Sequence, residues 1–352
     1  MNKIIKEDLE LIYKSDLNWR KLKNSTVLVT GAYGLLASYM VYMLLYLNKL
    51  DSSFKIKTLI LVRNIEKAEK KFVEYLDDPN LQIIKGDVSE KIEVDCQLDY
   101  IIHAASPASS QFYGTNPISV IMPNVFGTKY LLDLAVTNKV KGFLFFSSGE
   151  VCGKIEKEFI NEEDSGFLNP TDIRSCYGES KRMAENICIC YYHQHKIPVY
   201  IVRPDHTYGP TMDLENDNRV FSEFVSNIIN NKDIVIKSDG LATRTFCYLS
   251  DATEGFFRVL LNGKPGKSYN VSNPNGKVTI RELAEILVSS FPEKNLRVTY
   301  QQGISNNQYL ENKHKLRPSL STKKIEDIGY NCRVSVKDGF SRTVKSFNEG
   351  VK

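Results

Sequence analysis

The segment YGESK carries the most reactive pair of side chains in the sequence, Tyr177 and Lys181. Residues four apart lie on one face of a helix, so a helix here would place the two side chains one turn from each other. A tyrosine that transfers a proton near neutral pH needs its phenolate favoured, and a lysine ammonium together with a nicotinamide cation does that. Ser148 ends the apolar run GFLFFSS and supplies a hydroxyl that can hydrogen-bond a reacting oxygen beside the tyrosine.

A second segment, TGAYGLLA, lies where an apolar strand, STVLVT, turns into a long apolar helix. Gly31 and Gly34 permit a tight turn and a close backbone approach, and the N–H groups at the start of the helix can bind a pyrophosphate. Tyr33 and Leu35 lie in the same turn and are predicted to contact the cofactor with the two glycines. This arrangement predicts a dinucleotide-binding site in the first strand–helix unit.

Short apolar strands alternate with helical stretches of ten to twenty residues as far as the run VYIVRP, which ends at Pro204. Six such units predict an α/β fold with a Rossmann-type, doubly wound parallel sheet and a smaller C-terminal substrate-binding lobe. Residues 1–24 are predicted to form a helical extension. The dinucleotide-binding domain is assigned to 25–204 and roughly 238–262, and the substrate lobe to 205–237 and 263–352. Helices are expected in that lobe at 218–231, 279–291 and 335–348.

The end of the second predicted strand bears on the choice of dinucleotide. An acid at this position usually hydrogen-bonds the adenosine ribose of NAD, but TLILVRN offers Arg63 and no carboxylate. A guanidinium suits the 2′-phosphate of NADP, so Arg63 favours NADP over NAD. In the alternative, Arg63 is a solvated surface residue and Asp87, followed by Val88, serves the adenine end of the cofactor.

The overall composition excludes several other classes of protein. The formal net charge of +4 is spread along the chain without a Lys/Arg block, which argues against nucleic acid as a partner. Seven cysteines form no metal-ligand spacing, so no metal site is predicted and reduced thiols are expected. The N-terminal stretch lacks the apolar core of a signal peptide, and YMVYMLLYL is too short to span a bilayer. A cytoplasmic protein that does not interact with membranes is expected.

The glycine turn, Ser148, and Tyr177 with Lys181, in this order and spacing, resemble the extended short-chain dehydrogenases that modify nucleotide sugars. The segments IIHAAS, PNVFGTKYLLDLA, RPDHTYGP, NRVFSEF, RTFCYLSDATEGF and YNVSN add to the resemblance. That family includes UDP-glucuronate decarboxylases, UDP-hexose 4-epimerases and nucleotide-glucose 4,6-dehydratases. The resemblance implies an NAD- or NADP-dependent enzyme that acts on a nucleotide-linked sugar in polysaccharide biosynthesis.

The resemblance also implies roles for the matching residues. Tyr177 would be the catalytic acid/base, Lys181 would lower its pKa and hold the nicotinamide ribose, and Ser148 would position the substrate hydroxyl. Asn124 would support the helix near the site. Other implied cofactor contacts are Ala104, Ala105, Ser106 and Pro204. Implied substrate contacts, besides Ser148, are Ser106, His206, Arg219 and Arg244. For each arginine the alternative is a solvated loop charge.

The sequence departs from the family pattern at two places in the site. Glu150 is retained as a candidate catalytic residue, but Gly149 stands where dehydratases carry an aspartate and decarboxylases a serine. A glycine cannot protonate a departing hydroxyl, so the usual dehydratase mechanism loses its acid. His206 stands where an asparagine commonly contacts the substrate, and it is interpreted either as a substrate contact or as a buried packing residue.

Three hypotheses about function remain open. The first is an enzyme that oxidises a sugar carbinol and then re-reduces the ketone or an altered product with the same bound cofactor, as an epimerase or decarboxylase does. The second is a net reductase of a nucleotide-linked keto sugar, and the third is a catalytically silent dinucleotide-binding protein. Apolar helices near 115–138 and 175–195 predict a homodimer by analogy with the family, unless their apolar faces only cover the sheet.

Overall fold

A computed structural model describes residues 1–108, 110–301 and 318–348 of the 352-residue chain. Its strands are β1 (Thr26–Thr30), β2 (Lys57–Val62), β3 (Leu81–Lys85), β4 (Tyr100–His103), β5 (Gly142–Phe146), β6 (Phe159–Ile160), β7 (Val199–Pro204), β8 (His206–Tyr208), β9 (Ile234–Ile236), β10 (Thr243–Tyr248), β11 (Lys267–Val271), β12 (Lys277–Thr279), β13 (Val298–Tyr300) and β14 (Ser319–Leu320). Its α-helices are α1 (Lys3–Tyr13), α2 (Leu35–Leu50), α3 (Ile65–Lys71), α4 (Ser110–Thr115), α5 (Pro117–Met122), α6 (Thr128–Asn138), α7 (Cys176–His195), α8 (Val220–Ile229), α9 (Leu249–Asn262), α10 (Ile280–Ser289), α11 (Lys323–Glu326) and α12 (Val336–Asn348).

A parallel sheet of seven strands organises the larger part of the molecule, in the order β11-β7-β5-β4-β1-β2-β3. Its strands are rich in Val, Ile, Leu and Phe, and the run GFLFF of β5 is buried at every position. Such continuous apolar strands form where helices cover both faces of a parallel sheet. The predicted Rossmann-type α/β fold is therefore confirmed.

Helix α2 follows the glycine turn and is buried at every residue from Ala37 to Leu47. A helix that is apolar on all sides needs partners all round. The N-terminal helix α1 supplies one of them, since it packs on α2, α9 and α12. The side chain of Asn2 caps α1 by accepting the N–H groups of Ile4 and Ile5.

The second lobe has a core of its own, built around a three-stranded sheet in the order β12-β10-β8. Helices α8, α10 and α12 pack on this sheet and on one another, and their bounds agree with the helices predicted at 218–231, 279–291 and 335–348. Phe246 lies at the centre, with its ring 5.3 Å from the rings of both Phe221 and Phe340.

Two strands pair in a different sheet from the one that their predicted domain implies. Strand β11, assigned from the sequence to the substrate lobe (263–352), pairs in parallel with β7 as the outermost strand of the large sheet. Strand β10, assigned to the dinucleotide-binding domain, pairs instead with β8 and β12. The run KSYNV is too short and too polar to be told from a loop by its pattern. In the structure, the buried Asn270 side chain donates to the carbonyls of Ile160 and Ser321. The exact division into domains otherwise stays a prediction.

In the described part of the chain, none of the helices combines the length and the apolar character needed to cross a bilayer.

Candidate active site

The carboxyl ends of the central strands bring together the segments that the sequence analysis singled out. Gly31 follows β1, Ala104 follows β4, Ser147 and Ser148 follow β5, and Pro204 ends β7. The four strands β1, β4, β5 and β7 are consecutive neighbours in the sheet in the order β7-β5-β4-β1. In open α/β sheets this edge is where ligands bind.

The turn after β1 requires glycine at its first position. Gly31 has a φ of +69°, and a Cβ on it would lie 2.8 Å from the Ala105 nitrogen. A side chain there would therefore be strained and would also collide with the backbone after β4. Gly34 donates its N–H to the Gly31 carbonyl at 2.9 Å and is the N-cap of α2, where it provides no side-chain cap for the helix N–H groups. The turn thus presents close backbone and a helix N-terminus, both suited to a pyrophosphate.

A buried polar contact ties this turn to the end of β4. The Thr30 hydroxyl lies 2.9 Å from His103 Nδ1 and accepts the Ala105 N–H at 3.3 Å. Burial lowers the pKa of His103 to about 3, so its imidazole is neutral. Ser106, two residues beyond Ala104, has a buried hydroxyl without a hydrogen-bond partner among the described residues.

Tyr177, Lys181 and Ser148 meet as predicted from their spacing. Tyr177 and Lys181 lie one turn apart on α7, with the ammonium 6.0 Å from the tyrosine ring centroid. The Ser148 hydroxyl is close enough to the Tyr177 phenol to act as a hydrogen-bonding neighbour that lowers its pKa. Lys181 Nζ donates to the Phe146 carbonyl at 2.6 Å, which ties α7 to the end of β5. The two protonatable groups and the serine hydroxyl are therefore held at one point of the sheet edge.

Burial shifts the two protonatable groups in opposite directions. It raises the pKa of Tyr177 to about 12; the hydrogen bond with Ser148 opposes this rise and the charge of Glu150 adds to it. Burial lowers the pKa of Lys181 to about 7, against the attraction of Glu185. Burial is the larger influence on both groups, so the lowering of the Tyr177 pKa by Lys181 stays a prediction for the enzyme with its cofactor.

Tyr113 is a site residue that the sequence analysis missed. Its ring stacks on Tyr177, with centroids 5.1 Å apart and planes 13° from parallel, and the Arg174 guanidinium lies 5.8 Å from its centroid. Tyr113 belongs to the short helix α4, whose sequence shows no periodicity that would have predicted this contact. Both tyrosine rings are almost fully buried. Tyr113 therefore shields one face of the Tyr177 ring from water.

Gly149 and Glu150 lie in a 3₁₀ turn, Gly149–Cys152, that starts at Ser148. The Ser148 side chain caps this turn by accepting the Glu150 N–H at 3.2 Å. A Cβ on Gly149 would lie 3.1 Å from Leu320 Cδ1, so the buried Leu320 occupies the space beside the glycine. The position where related enzymes carry an aspartate or a serine is here next to an apolar wall.

Asn124 lies in a π-helical turn, Pro123–Gly127, and its amide donates to the Ser180 hydroxyl at 3.0 Å. Ser180 precedes Lys181 on α7, so Asn124 supports this helix as the family resemblance implies. Val88 is buried and packs on Gly127 of the same turn. A Cβ on Gly127 would lie only 3.0 Å from Val88 Cγ2. Tyr33 and Leu35 lie in the glycine turn and in the first turn of α2, both partly buried.

Arg63 and Asp87 lie near each other just after β2 and β3. Arg63 Nη1 is 3.9 Å from Asp87 Oδ2, and the arginine side chain is 63% exposed. Asp87 also accepts the N–H of Ser89. The cation and the carboxylate that the sequence analysis treated as alternatives are therefore an ion pair.

The three predicted substrate contacts of the second lobe gather around Phe246. The His206 ring lies 6.2 Å from the Phe246 ring, and Arg244 lies two residues earlier on the same strand, β10. The Arg219 guanidinium lies 4.5 Å from the ring centroid of Phe221, which is itself in contact with Phe246.

Arg219 and His206 each lie beside an acidic residue of the chain. Arg219 pairs with Asp217 at 2.6 Å, and His206 Nδ1 lies 2.9 Å from Asp205. Arg244 donates to the Thr243 carbonyl at 2.7 Å. His206 keeps 22% of its side chain exposed, so it is not the fully buried packing residue of the alternative interpretation. Within the described residues, no group of three or more His, Cys, Asp or Glu side chains is arranged to hold a metal ion.

Comparison with known proteins matches residues 27–272 to a family model described as the NAD dependent epimerase/dehydratase family. UDP-glucuronic acid decarboxylase 2 of Arabidopsis thaliana is 33% identical over 332 residues, which cover 94% of this chain and 70% of that protein. The human dTDP-D-glucose 4,6-dehydratase is 28% identical over 340 residues, 92% of this chain and 90% of that protein. Among solved structures, the dTDP-glucose 4,6-dehydratase DesIV from Streptomyces venezuelae, with NAD bound, superposes with a TM-score of 0.74. It is 26% identical, and the match covers 92% of this chain and 97% of that one.

Proposed function

The chain belongs to the NAD-dependent epimerase/dehydratase family, and we propose that it is an enzyme that oxidises a carbinol of a nucleotide-linked sugar by hydride transfer and then re-reduces the product. The observation that carries this proposal is the cluster of Tyr177, Lys181 and Ser148 at the sheet edge that also holds the glycine turn. A binding protein without catalysis has no need of a buried tyrosine and a buried lysine one helical turn apart beside a serine hydroxyl.

The residues present fit a dinucleotide. The space against Gly31 would be filled by any Cβ, the N-terminus of α2 has no side-chain cap, and the Ser106 hydroxyl is buried without a described partner. The turn after β1 would hold the pyrophosphate, and Lys181 the nicotinamide ribose. When bound, the nicotinamide supplies a reversible hydride acceptor.

The chain's own residues account for the proton that accompanies the hydride. The Tyr177 phenolate takes the proton of the sugar hydroxyl and later returns it, while Ser148 donates a hydrogen bond to the same oxygen. The Lys181 ammonium would stabilise the phenolate in competition with burial, the largest of the influences that raise the Tyr177 pKa to about 12. Tyr113 excludes water from one face of the phenol.

We propose NAD rather than NADP as the cofactor, against the preference drawn from Arg63. Asp87 lies 3.9 Å from Arg63 and already balances its charge, so a 2′-phosphate would have to compete with this carboxylate. The same carboxylate is an acceptor of the kind that a ribose hydroxyl needs. The DesIV structure, in which NAD is bound, supports this choice.

The site favours an internal redox cycle of the epimerase or decarboxylase type. The relatives that support it include a UDP-glucuronic acid decarboxylase, and Glu150 is retained beside Tyr177. Dehydration is disfavoured, because Gly149 offers no acid and Leu320 fills the space beside it. Net reduction of a keto sugar is the second candidate, since it needs neither Glu150 nor an acid at position 149.

A homodimer in solution belongs to the same proposal. The helices that the family resemblance implicates, α5 to α7, expose large apolar side chains on the single chain: 63% of Ile118, 44% of Phe126 and 52% of Met183. Light scattering during size exclusion measures the mass, and Ile118→Glu is expected to produce monomers. A monomeric wild-type protein would contradict the dimer.

The first experiment is mass spectrometry of the dinucleotide released by denaturing freshly purified protein. Abundant NAD, retained without added cofactor, is the expected result. An empty protein that takes up NADPH on titration would instead support the net reductase. Enzyme at a concentration comparable with the sugar is then mixed with UDP-glucuronate, UDP-glucose or dTDP-glucose, and the transient reduction of its bound nicotinamide is followed at 340 nm. Tyr177→Phe should abolish that signal, whereas Tyr192→Phe, which alters an exposed tyrosine of the same helix, should leave it unchanged. A signal that survives Tyr177→Phe would refute the assignment.

A further inference from the structure

Asp205 and His206 form a hydrogen-bonded pair directly beyond the end of β7. They follow Pro204, and β7 is the neighbour of β5, which leads into Ser148. The register pairs Phe146 with Val202, and the Ser147 N–H donates to the Val202 carbonyl. His206 therefore begins β8 two residues after Pro204, the last residue of the strand adjacent to β5.

The Asp205 carboxylate fixes the imidazole in one orientation. Its Oδ1 accepts the His206 backbone N–H at 2.8 Å and lies 2.9 Å from His206 Nδ1, while its Oδ2 accepts the buried Ser272 hydroxyl at 3.1 Å. An ionised carboxylate only accepts hydrogen bonds, so Nδ1 must carry the proton in this contact. Nε2 is then left with a lone pair, as in other acid/base histidines oriented by a carboxylate.

The surroundings of the ring suit a ligand-facing group better than a packing or a surface residue. His206 is 22% exposed and its partner Asp205 is 13% exposed, so the pair is neither in the core nor free in solvent. The phenyl ring of Phe246 lies against the imidazole, and β10, which carries Phe246, also carries the cationic Arg244 as its second residue. In the described part of the chain, the charged groups on the adjoining elements include Asp205 and Arg244, with Arg219 and Asp217 beyond Phe221.

We propose that His206 is a further catalytic residue, which exchanges the proton on the carbon next to the ketone formed at the oxidised carbinol. Nε2 takes that proton as the C–H bond breaks, and the bonding electron pair moves into the enolate. The imidazolium then returns the proton to the same carbon, which restores the ketone and the neutral imidazole. Asp205, supported by Ser272, is a positioning residue that sets the tautomer. This inference rests on the proposed function, because the ketone is the product of that chemistry.

A nuclear magnetic resonance experiment tests the histidine without turnover. The chain has five histidines, so the side-chain ¹⁵N spectrum is simple, and His206→Asn identifies the signal. The neutral ring should be the Nδ1–H tautomer in the wild type and should lose that preference in Asp205→Asn. Addition of UDP-glucose should shift the His206 signal but not that of the exposed His193. An Nε2–H tautomer, or a His206 signal whose chemical shift does not change on addition of UDP-glucose, would overturn the proposal.

Deuterium exchange tests the chemistry itself. The enzyme is incubated in D₂O with UDP-glucuronate, UDP-glucose or dTDP-glucose, and reduced nicotinamide is followed at 340 nm. The deuterium content of the recovered sugar is measured by mass spectrometry. His206→Asn should lose at least 100-fold in the rate of deuterium incorporation yet still form reduced nicotinamide, whereas His193→Asn should match the wild type. Deuterium incorporation at the wild-type rate in His206→Asn refutes the proposal. Failure of the wild type to reduce nicotinamide with these three sugars counts against the proposed function, and the tautomer and the UDP-glucose response then decide the role of His206.

Discussion

Asp8 on the N-terminal helix joins the cofactor part of the molecule to the substrate lobe, and its replacement by alanine should destabilise the whole fold. The fully buried carboxylate accepts hydrogen bonds at Oδ2 from the hydroxyls of Tyr39, on α2, and Tyr248, on β10, each at 2.8 Å. At Oδ1 it accepts from Arg342 Nη2 and Nε, at 2.7 and 3.1 Å. Helix α2 begins at the predicted pyrophosphate site, and β10 begins beside Arg244.

The expected loss of unfolding free energy follows from the groups that lose a hydrogen-bond partner. Asp8→Ala leaves the buried hydroxyls of Tyr39 and Tyr248 unsatisfied, at about 1–3 kcal/mol each. Arg342 keeps Glu7 and the Ile4 carbonyl as acceptors, so the free-energy cost of removing its Asp8 partner is smaller than that for each tyrosine. A total of about 4 kcal/mol is expected. An unfolding entropy of about 2.1 cal/mol/K per residue over 352 residues is about 0.7 kcal/mol/K, so the Tm should fall by about 5 °C.

Asp8→Asn separates hydrogen bonding from charge. Burial raises the pKa of Asp8 more than Arg342 lowers it, so the site does not favour the negative charge as such. The amide fills the same volume and can bond the tyrosine hydroxyls, and its cost should be below about 1.5 kcal/mol. Scanning calorimetry at pH 7 with a fixed NAD concentration measures both variants. Glu7→Ala is the control, since it removes a half-exposed partner of Arg342 and should cost less than about 1 kcal/mol. An Asp8→Asn loss equal to that of Asp8→Ala would refute the reasoning.

Three further predictions concern the site and the pH dependence of stability. Gly31→Ala, at a φ of +69° and with its Cβ against Ala105, should weaken NAD binding at least tenfold by calorimetric titration, and unchanged affinity would argue against this turn as the pyrophosphate site. Tyr113→Ala should expose Tyr177 to water and lower its pKa, which moves the ascending limb of the pH–rate profile, set by ionisation of the phenol, down by about one unit. Tyr113→Phe, which keeps the ring stack, should not, and equal profiles would contradict the shielding. Burial raises the pKa of Asp251 to about 6, above its unfolded value, so its stabilising contribution is present below about pH 4 and is lost as the pH rises through 6. Relative to the wild type, Asp251→Asn should therefore gain about 3 kcal/mol of unfolding free energy between pH 4 and 7 in urea titrations, and a constant difference would contradict this.

The sequence predicts those features that repeat over short distances. The alternation of strands and helices, the glycine turn and the four-residue spacing of Tyr177 and Lys181 are all local patterns, and the structure contains each of them. Ser148 could be placed because consecutive parallel strands end at the same edge of a sheet. The fold and the centre of the candidate site therefore follow from the sequence.

Features that depend on distant segments could not be predicted. Tyr113 reaches Tyr177 from a helix without periodicity, and Leu320 reaches Gly149 from 171 positions away in the chain. The sequence analysis treated Arg63 and Asp87 as alternative contacts for the adenine end of the cofactor. Both interpretations were incomplete, because the sequence around neither residue indicates that the two form an ion pair. Such contacts depend on packing between elements, for which a single sequence carries no periodic signal.

The hydrogen bonds around Asp8 also set the order in which parts of the molecule can pack during synthesis. Helix α1 leaves the ribosome early, but Arg342 follows Asp8 by 334 positions, and Ser346, whose carbonyl accepts the Asn2 amide at 2.8 Å, comes later still. At about 5–20 residues per second, the helix waits roughly 20–70 s for these partners. During that interval its apolar face, with Leu9 and Ile12, has only α2 and α9 to cover it. The final closure of the molecule thus waits for the synthesis of α12, and until then the nascent chain carries an incompletely covered helix that a chaperone can bind.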